Sequence, residues 1–377
     1  MINKIIILGG YGNFGKRIAE GLSKHKTIEI YLAGRNQSKA ENACQMLKDK
    51  TGHQQINPFV VDIFSDDFEA KLIQLSPDIV IHTSGPFQGQ DYRVPEACIK
   101  AGSHYIDLAD DRRYVCDIAQ LNEQAVKKNL IIVSGASSVP GLSSTVIEEF
   151  KSKFKKIESI DIAIAPGNKA ERGEATLKAI LSYTGKPFKS FIKGNWQSVY
   201  GWMSSRRVDF GGSVGKRWLA NVDVPDLELF PGYFKVAETV RFQAGLELSF
   251  LHHAMVFMGW LAKHKIVKNW ARYSRTIFKM SHWFEAFGTD IGGMQIIMDG
   301  IDKNDKPLKL KWNLTAENNI GPFIPTLATV ILADKLIENK IADYGAKACL
   351  NLFSLKDFDQ YAEPLAINHS LDMKVGK

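Results

Sequence analysis

Lys4-Ile5-Ile6-Ile7-Leu8-Gly9-Gly10-Tyr11-Gly12-Asn13-Phe14-Gly15 is the stretch that decides how this chain folds. An unbroken apolar run of this length fits a strand buried on both faces, as in a parallel sheet, and the residues after Gly12 open a helical pattern. Closely spaced glycines at a strand-to-helix turn let backbone N–H groups approach a pyrophosphate at the positive end of the helix. Strand before and helix after is the context that turns a bare G-x-G-x-x-G into a dinucleotide site. Gly10 to Lys16 also spells G-x-x-x-x-G-K, but Arg17 stands where a mononucleotide loop needs Ser or Thr for magnesium.

The second apolar run, Ile28 to Ala33, ends in Gly34-Arg35-Asn36-Gln37-Ser38-Lys39. An NAD site places Asp or Glu here for the ribose 2′-hydroxyl, whereas Arg accommodates a 2′-phosphate. Arg35, with Asn36, Ser38 and Lys39 around it, therefore predicts NADP(H).

Working outward, residues 1 to 138 alternate short apolar runs with helical patterns, the signature of a doubly wound parallel sheet. The predicted strands are Ile5 to Leu8, Ile28 to Ala33, Pro58 to Val61, Asp78 to Thr83, Tyr105 to Leu108 and Leu130 to Val133. Beyond the Gly- and Ser-rich turn Ser134 to Gly141 the character changes. Residues 139 to 320 read as an α+β domain with an open, mostly antiparallel sheet, built on an alternating strand at Ile157 to Ala165, another near Glu238 to Ala244, and a hairpin, Met294 to Ile301 and Leu308 to Thr315. Residues 321 to 377 are expected to form an apolar helix and a tail packing back on the first domain. A chain of 377 residues exceeds what one core usually supports, so two domains and a cleft are expected.

Composition is ordinary for a globular protein, at 45% hydrophobic and 24% charged. The net charge of +7 suits anionic ligands, with no nucleic-acid signature accompanying it. Cys44, Cys98, Cys116 and Cys349 form no CxxC pair and no metal spacing, and the chain opens on a strand rather than a signal peptide, so a reducing cytoplasm is expected and no metal. No run reaches the ~18 apolar residues of a membrane span. Leu246 to Ala262 is nevertheless strongly apolar and leads into Lys263, Lys265, Lys268, Arg272, Arg275 and Lys279, interleaved with aromatics. Segment 246 to 279 reads either as a buried helix or dimer interface of the second domain, or as peripheral contact with an anionic membrane.

Ligands of open α/β sheets bind beyond the carboxyl ends of the strands, which points to the residues after strands four, five and six. Strand four runs into Ser84-Gly85-Pro86-Phe87, strand five carries Tyr105-Ile106-Asp107-Leu108-Ala109-Asp110, and strand six delivers Gly135-Ala136. Tyr105, Asp107 and Asp110 are the candidate acid–base residues, with a helix-capping role as the alternative for Asp107. Arg206, Arg207, Lys216 and Arg217 are candidates for gripping a substrate carboxylate or phosphate, or else a solvated basic face.

Taken together, Gly9 to Gly15, Ser84 to Phe87, Ala101 to Leu108 and Pro140-Gly141-Leu142 resemble the saccharopine dehydrogenase-like family, strongly over the first 145 residues and in outline beyond. The resemblance implies an NADP(H)-binding domain, a smaller domain closing a cleft, a homodimer, and reduction of imines of small amino-acid or polyamine metabolites. Carried over by position, it places Gly9, Gly10, Gly12, Asn13, Phe14, Gly15, Arg35, Ser84, Gly85, Pro86 and Phe87 on the cofactor, with Asp62 near its adenine. The family's saccharopine-forming members resemble Asp-Pro-Gly-x-x-His at the hinge; here Val139-Pro140-Gly141-Leu142-Ser143-Ser144 lacks both the carboxylate and the imidazole. Three functions follow as expectations: a reductase of a small imine or carbonyl, a lipid-directed enoyl reductase or membrane-peripheral enzyme, and a non-catalytic NADP(H)-binding protein. The G-x-S-x-G at Gly211 to Gly215 lacks the strand and helix of a nucleophile elbow, and no Tyr-x-x-x-Lys of the short-chain reductases is present.

Overall fold

A computed structural model describes residues 2–341 and 343–376. Along the chain the strands are β1 (Lys4–Leu8), β2 (Glu29–Gly34), β3 (Ile56–Val60), β4 (Ile79–His82), β5 (His104–Asp107), β6 (Ile131–Ser134), β7 (Phe154–Ala165), β8 (Pro187–Ile192), β9 (Asn195–Tyr200), β10 (Arg206–Asp209), β11 (Lys216–Asn221), β12 (Thr239–Ala244), β13 (Gly292–Asp302), β14 (Pro307–Ala316), β15 (Gly345–Ala348) and β16 (Asn368–Val375). They divide between two compact units, residues 1–142 with 323–353 and residues 143–322 with 354–377.

The first unit is built on a seven-stranded sheet of order β15-β6-β5-β4-β1-β2-β3. Its pairs are parallel throughout. Six strands are those expected from the sequence. The seventh, Gly-Ala-Lys-Ala at 345–348, has too little apolar character to announce itself and joins the sheet by pairing with β6. Pro58, which has no N–H to donate, sits on β3 at the sheet edge, where proline is tolerated. Chain order runs from β1 through β2 to β3, then crosses back to β4 on the other flank of β1. The topological switch point therefore lies between β1 and β4.

Helix Ile324–Ile337 is buried almost all round and lies against helix Asn13–Leu22. Contact is close because position 21 is glycine: a Cβ there would come within 3.0 Å of Val330. Asp334, 1% exposed, is ion-paired with Lys24 and hydrogen-bonded with His25, whose Nε2 lies 2.7 Å from its Oδ1.

The second unit carries a mixed sheet of order β10-β11-β12-β7-β13-β14-β16, antiparallel except for β12 beside β7. One face is apolar and buried, with Ile160, Ile162, Val240, Ile296, Leu310 and Trp312 at 0% exposure. A separate hairpin, β8 and β9, turns through Lys193-Gly194, both in the left-handed region. Gly211 to Gly215 is the hairpin loop joining β10 to β11, which rules out a nucleophile elbow there.

One expectation fails. The stretch 321–377 does not pack as one piece on the first unit, for residues 354–377 belong to the second. The outer edge of β14 would otherwise present unpaired N–H and C=O groups along its length. β16 satisfies it over a ladder from Leu308↔Val375 to Thr315↔Asn368.

Candidate nucleotide and active site

Each glycine of the first loop meets a different constraint. Gly9 has φ +77°, and a Cβ there would lie 2.7 Å from Thr83 Oγ1 and 2.9 Å from Ser84 Oγ. A Cβ on Gly10 would collide with Leu32 Cα at 2.7 Å, and one on Gly15 with Gly9 O at 2.5 Å and Gly10 Cα at 2.7 Å. These positions let the turn fold back on β2 and let helix Asn13–Leu22 start hard against it. Gly12 differs: its Cβ would meet only Gly9 O, at 3.0 Å, leaving the outer side clear. It is the N-cap of that helix and offers no capping side chain. The first N–H groups of a helix have no intrahelical acceptor. A bare helix start behind a side-chain-free residue is the cradle a pyrophosphate requires.

β2 ends beneath Tyr11. A Cβ on Gly34 would lie 2.4 Å from the Tyr11 ring, and the Tyr11 hydroxyl accepts the Asn36 N–H at 3.2 Å. Asn36 caps helix Gln37–Thr51, its Oδ1 accepting the Lys39 N–H at 2.9 Å. Arg35, Ser38 and Lys39 are exposed, and among the described residues no acidic group pairs with the Arg35 guanidinium or the Lys39 ammonium. An unpaired guanidinium and ammonium at a helix start suit a 2′-phosphate, and they fit NADP(H). Asp62, half-buried after β3, accepts the Phe64 N–H at 3.0 Å and so shapes the local turn.

The end of β4 is tied to the glycine loop by Thr83, whose hydroxyl donates to Leu8 O at 2.8 Å and Gly9 O at 3.2 Å. Ser84, Gly85 and Pro86 are partly exposed. Gln90 holds their turn, its Nε2 donating to Ser84 O at 2.9 Å and Pro86 O at 2.8 Å. The Phe87 ring points inward at 5% exposure, packed 4.9 Å from His82 and 5.2 Å from Tyr114.

Beneath this loop lies a buried polar row. The Tyr105 hydroxyl is 3.0 Å from His82 Nδ1 and 3.0 Å from the Tyr114 hydroxyl. Burial pushes His82 down to about 3, so it is neutral, and raises both phenols well above their ordinary range. Asp107, fully buried, does not cap a helix; that role belongs to Asp111. Its Oδ1 accepts from Ala109 N at 2.9 Å, Ser134 Oγ at 3.0 Å and Gly135 N at 2.8 Å, which joins the ends of β5 and β6. Desolvation pushes its carboxyl up to about 6. Asp110 is only partly buried, accepts from Gln88 Nε2 at 3.1 Å, and is also shifted upward by desolvation.

Thr83, Gln90, Tyr11, Tyr114 and Ser134 were not singled out from sequence. Their hydrogen bonds join points far apart in the chain or run to backbone carbonyls, and neither leaves a motif. Within the second unit, Arg206 and Arg241 share Asp161, at 2.5 Å and 3.1 Å. Both line a cavity of about 230 Å³ with Asn221 and Gln243. Arg217 is committed to Glu247 at 3.2 Å. Val139 and Ser144, where saccharopine-forming enzymes resemble Asp and His, are buried.

A glycine cradle at the switch point of a parallel sheet, with a cationic β2 end, defines an NADP(H)-binding domain. Residues 5–133 match the saccharopine dehydrogenase NADP binding domain. No curated protein matches in sequence. Among solved structures, apo saccharopine dehydrogenase (L-Glu forming) from Saccharomyces cerevisiae superposes over 99% of this chain and 100% of its own at 12% identity, with a TM-score of 0.69. At that identity the likeness is one of fold. A short-chain type dehydrogenase/reductase from Mycobacterium ulcerans matches 35% of this chain and 66% of its own at 15% identity, with a TM-score of 0.29. No helix among the described residues is long and apolar enough to cross a membrane.

Proposed function

We propose that this chain is an NADPH-dependent reductase of a small anionic metabolite bearing a C=N or C=O bond. The observation that carries the reading is the unpaired Arg35 at the end of β2, beside a glycine turn with a clear outer side at Gly12. NADPH supplies a hydride when bound, because the cofactor carries the hard chemistry and the protein positions it. Gly12 and the helix start behind it would hold the pyrophosphate, Arg35 and Lys39 the 2′-phosphate, and the Ser84 to Pro86 turn would serve the nicotinamide end.

Reduction of such a bond takes one hydride and one proton. Of the three acid–base candidates, Asp110 alone combines access to solvent with a carboxyl held above its ordinary range, so it is assigned as proton donor. Tyr105 and Asp107, both fully buried, are positioning residues that fix the ends of β4, β5 and β6. Taken by itself, the second unit has a cavity at Arg206 and Arg241, where two guanidinium groups share one carboxylate, and this suits an anionic ligand. The buried Val139 and Ser144 argue for a reaction other than saccharopine formation.

The test pairs calorimetry with turnover. NADPH is expected to bind more tightly than NADH, and a deuteride on the cofactor to pass stereospecifically into product when amino-acid and keto-acid pairs are screened. Tighter binding of NADH, or no transfer across a broad panel, overturns the proposal.

A further inference from the structure

Helix Ser249–Lys263 buries His252, Met255 and Gly259 along one stripe. The opposite stripe of an ordinary surface helix is polar. Here it carries Phe250, Phe257 and Trp260, at 54%, 58% and 43% exposure. Helix Ser274–Ser281, with a 3-10 turn at each end, joins it in one layer: the Phe250 ring meets Phe284 at 5.4 Å, and the Trp270 indole donates to Met258 O at 2.9 Å. This second segment adds Trp283, 71% exposed, and Phe287, 59% exposed. Among the described residues, eight of the nineteen large apolar side chains left exposed fall between 250 and 287. Single exposed apolar residues need no explanation, whereas a concentration of them marks a contact surface.

Charge selects the partner. Residues 249 to 287 contain six Lys and Arg and a single acidic residue, Glu285, giving a net +5 against +7 for the whole chain. A second copy docked on this face would set one such cationic surface against another. A nucleic-acid duplex, its bases already stacked on one another, would satisfy the cations but not the outward aromatic stripe. An anionic bilayer answers both, with aromatic rings in the headgroup layer and Lys and Arg on lipid phosphates. A helix of 15 residues is too short to cross a bilayer of ~30 Å, so it would lie in the interface.

We infer that the helical layer 249–287 is a docking surface for membranes rich in anionic phospholipid. The inference is independent of the proposed reaction, and its test uses no turnover. Full-length protein is sedimented with vesicles of phosphatidylcholine alone and with about one-third phosphatidylglycerol, chosen for its anionic surface. Binding at least tenfold tighter to the anionic vesicles is expected, weakening as salt rises, with a blue shift of tryptophan emission. The double variants Trp260→Ser/Trp283→Ser and Lys265→Glu/Lys268→Glu should each lose that binding tenfold or more while keeping NADPH affinity. Should a variant fail to fold, quenching of the wild-type tryptophans by brominated lipid gives the same answer without it. Wild-type protein that stays in the supernatant, binds neutral vesicles equally well, or forms a dimer that the tryptophan variant dissolves overturns the inference.

Discussion

Every strand of the first sheet runs the same way, so the residues following β1, β2, β4, β5 and β6 emerge along one edge. In the second sheet neighbouring strands are antiparallel except for β12 with β7, and their ends alternate between the two edges. Its polar groups lie across a face instead: Asp161 of β7 is in register with Arg241 of β12, and Gln295 of β13 with Asn313 of β14. The first arrangement presents loop backbone and short phrases of sequence, while the second presents side chains drawn from different strands.

The sharpest way to break this comparison is to fill the glycine turn. Gly15→Val puts a branched side chain on Gly9 O and Gly10 Cα, which are backbone atoms with nowhere to go. Loss of NADPH binding and destabilisation by more than about 3 kcal/mol are expected, read by calorimetry and urea unfolding. Gly12→Ala separates the two effects, since its Cβ meets only Gly9 O at 3.0 Å. Folding should survive while NADPH affinity falls. Equal behaviour of the two variants would remove the distinction between packing glycine and ligand glycine.

Asp107 tests the claim that the sheet edge is held by buried polar ties. Its carboxyl titrates at about 6 in the fold because burial disfavours the charged form. The folded state therefore holds the proton more tightly than the unfolded chain, and the stability this contributes is present at low pH and lost as pH rises towards and through 6. The loss amounts to roughly 3 kcal/mol at most. Asn can accept the same three hydrogen bonds at Oδ1, and among the described residues Oδ2 has no partner to lose. Unfolding free energies at pH 4.5 and 7.5 should show Asp107→Asn gaining on the wild type as pH rises, by roughly 2 kcal/mol. A difference independent of pH would mean that the Asp107 carboxyl is not held above its ordinary range.

Arg35→Asp asks whether the β2 end reads the 2′-phosphate. NADPH affinity should fall about 100-fold, close to 2.7 kcal/mol, while NADH binding is retained or improved. Two titrations on the same variant give the answer. An equal fall for both cofactors would mark Arg35 as structural.

The comparison also accounts for what the sequence disclosed. A continuous apolar strand, a glycine turn and a helix start are local events, so β1 to β6 and the residues from Gly9 to Gly15 were legible without a structure. β15 was not, because Gly-Ala-Lys-Ala has no apolar period of its own and is a strand only beside β6. The hairpin of β8 and β9 was not legible either, for its strands lack strict alternation and Lys193-Gly194 is not one of the Asn-Gly or Asp-Gly turns that announce a hairpin. Phe87 shows the limit at the site itself. Its place in a matching phrase suggested cofactor contact, yet its ring packs inside on His82 and Tyr114, and only tertiary neighbours reveal that. Asp161, Arg206, Arg241 and Gln243 come together from three strands, a juxtaposition that spacing along the chain does not encode.

That last cluster yields the smallest expected effect and the one that bears most directly on the second sheet. Arg206 donates through Nε to Gln243 Oε1 and through Nη2 to Asp161 Oδ1, so its head is fixed while Arg241 still balances the carboxylate. Arg206→Gln removes one positive charge from the cavity and leaves Asp161 paired. If the face binds the anionic end of the substrate, KM should rise about tenfold, near 1.4 kcal/mol, with NADPH affinity untouched. A fall in kcat at constant KM would instead place Arg206 with the reacting atoms. No kinetic change at all would leave the cavity as structural polarity and return the search for the substrate's anchor to the loops of the parallel sheet.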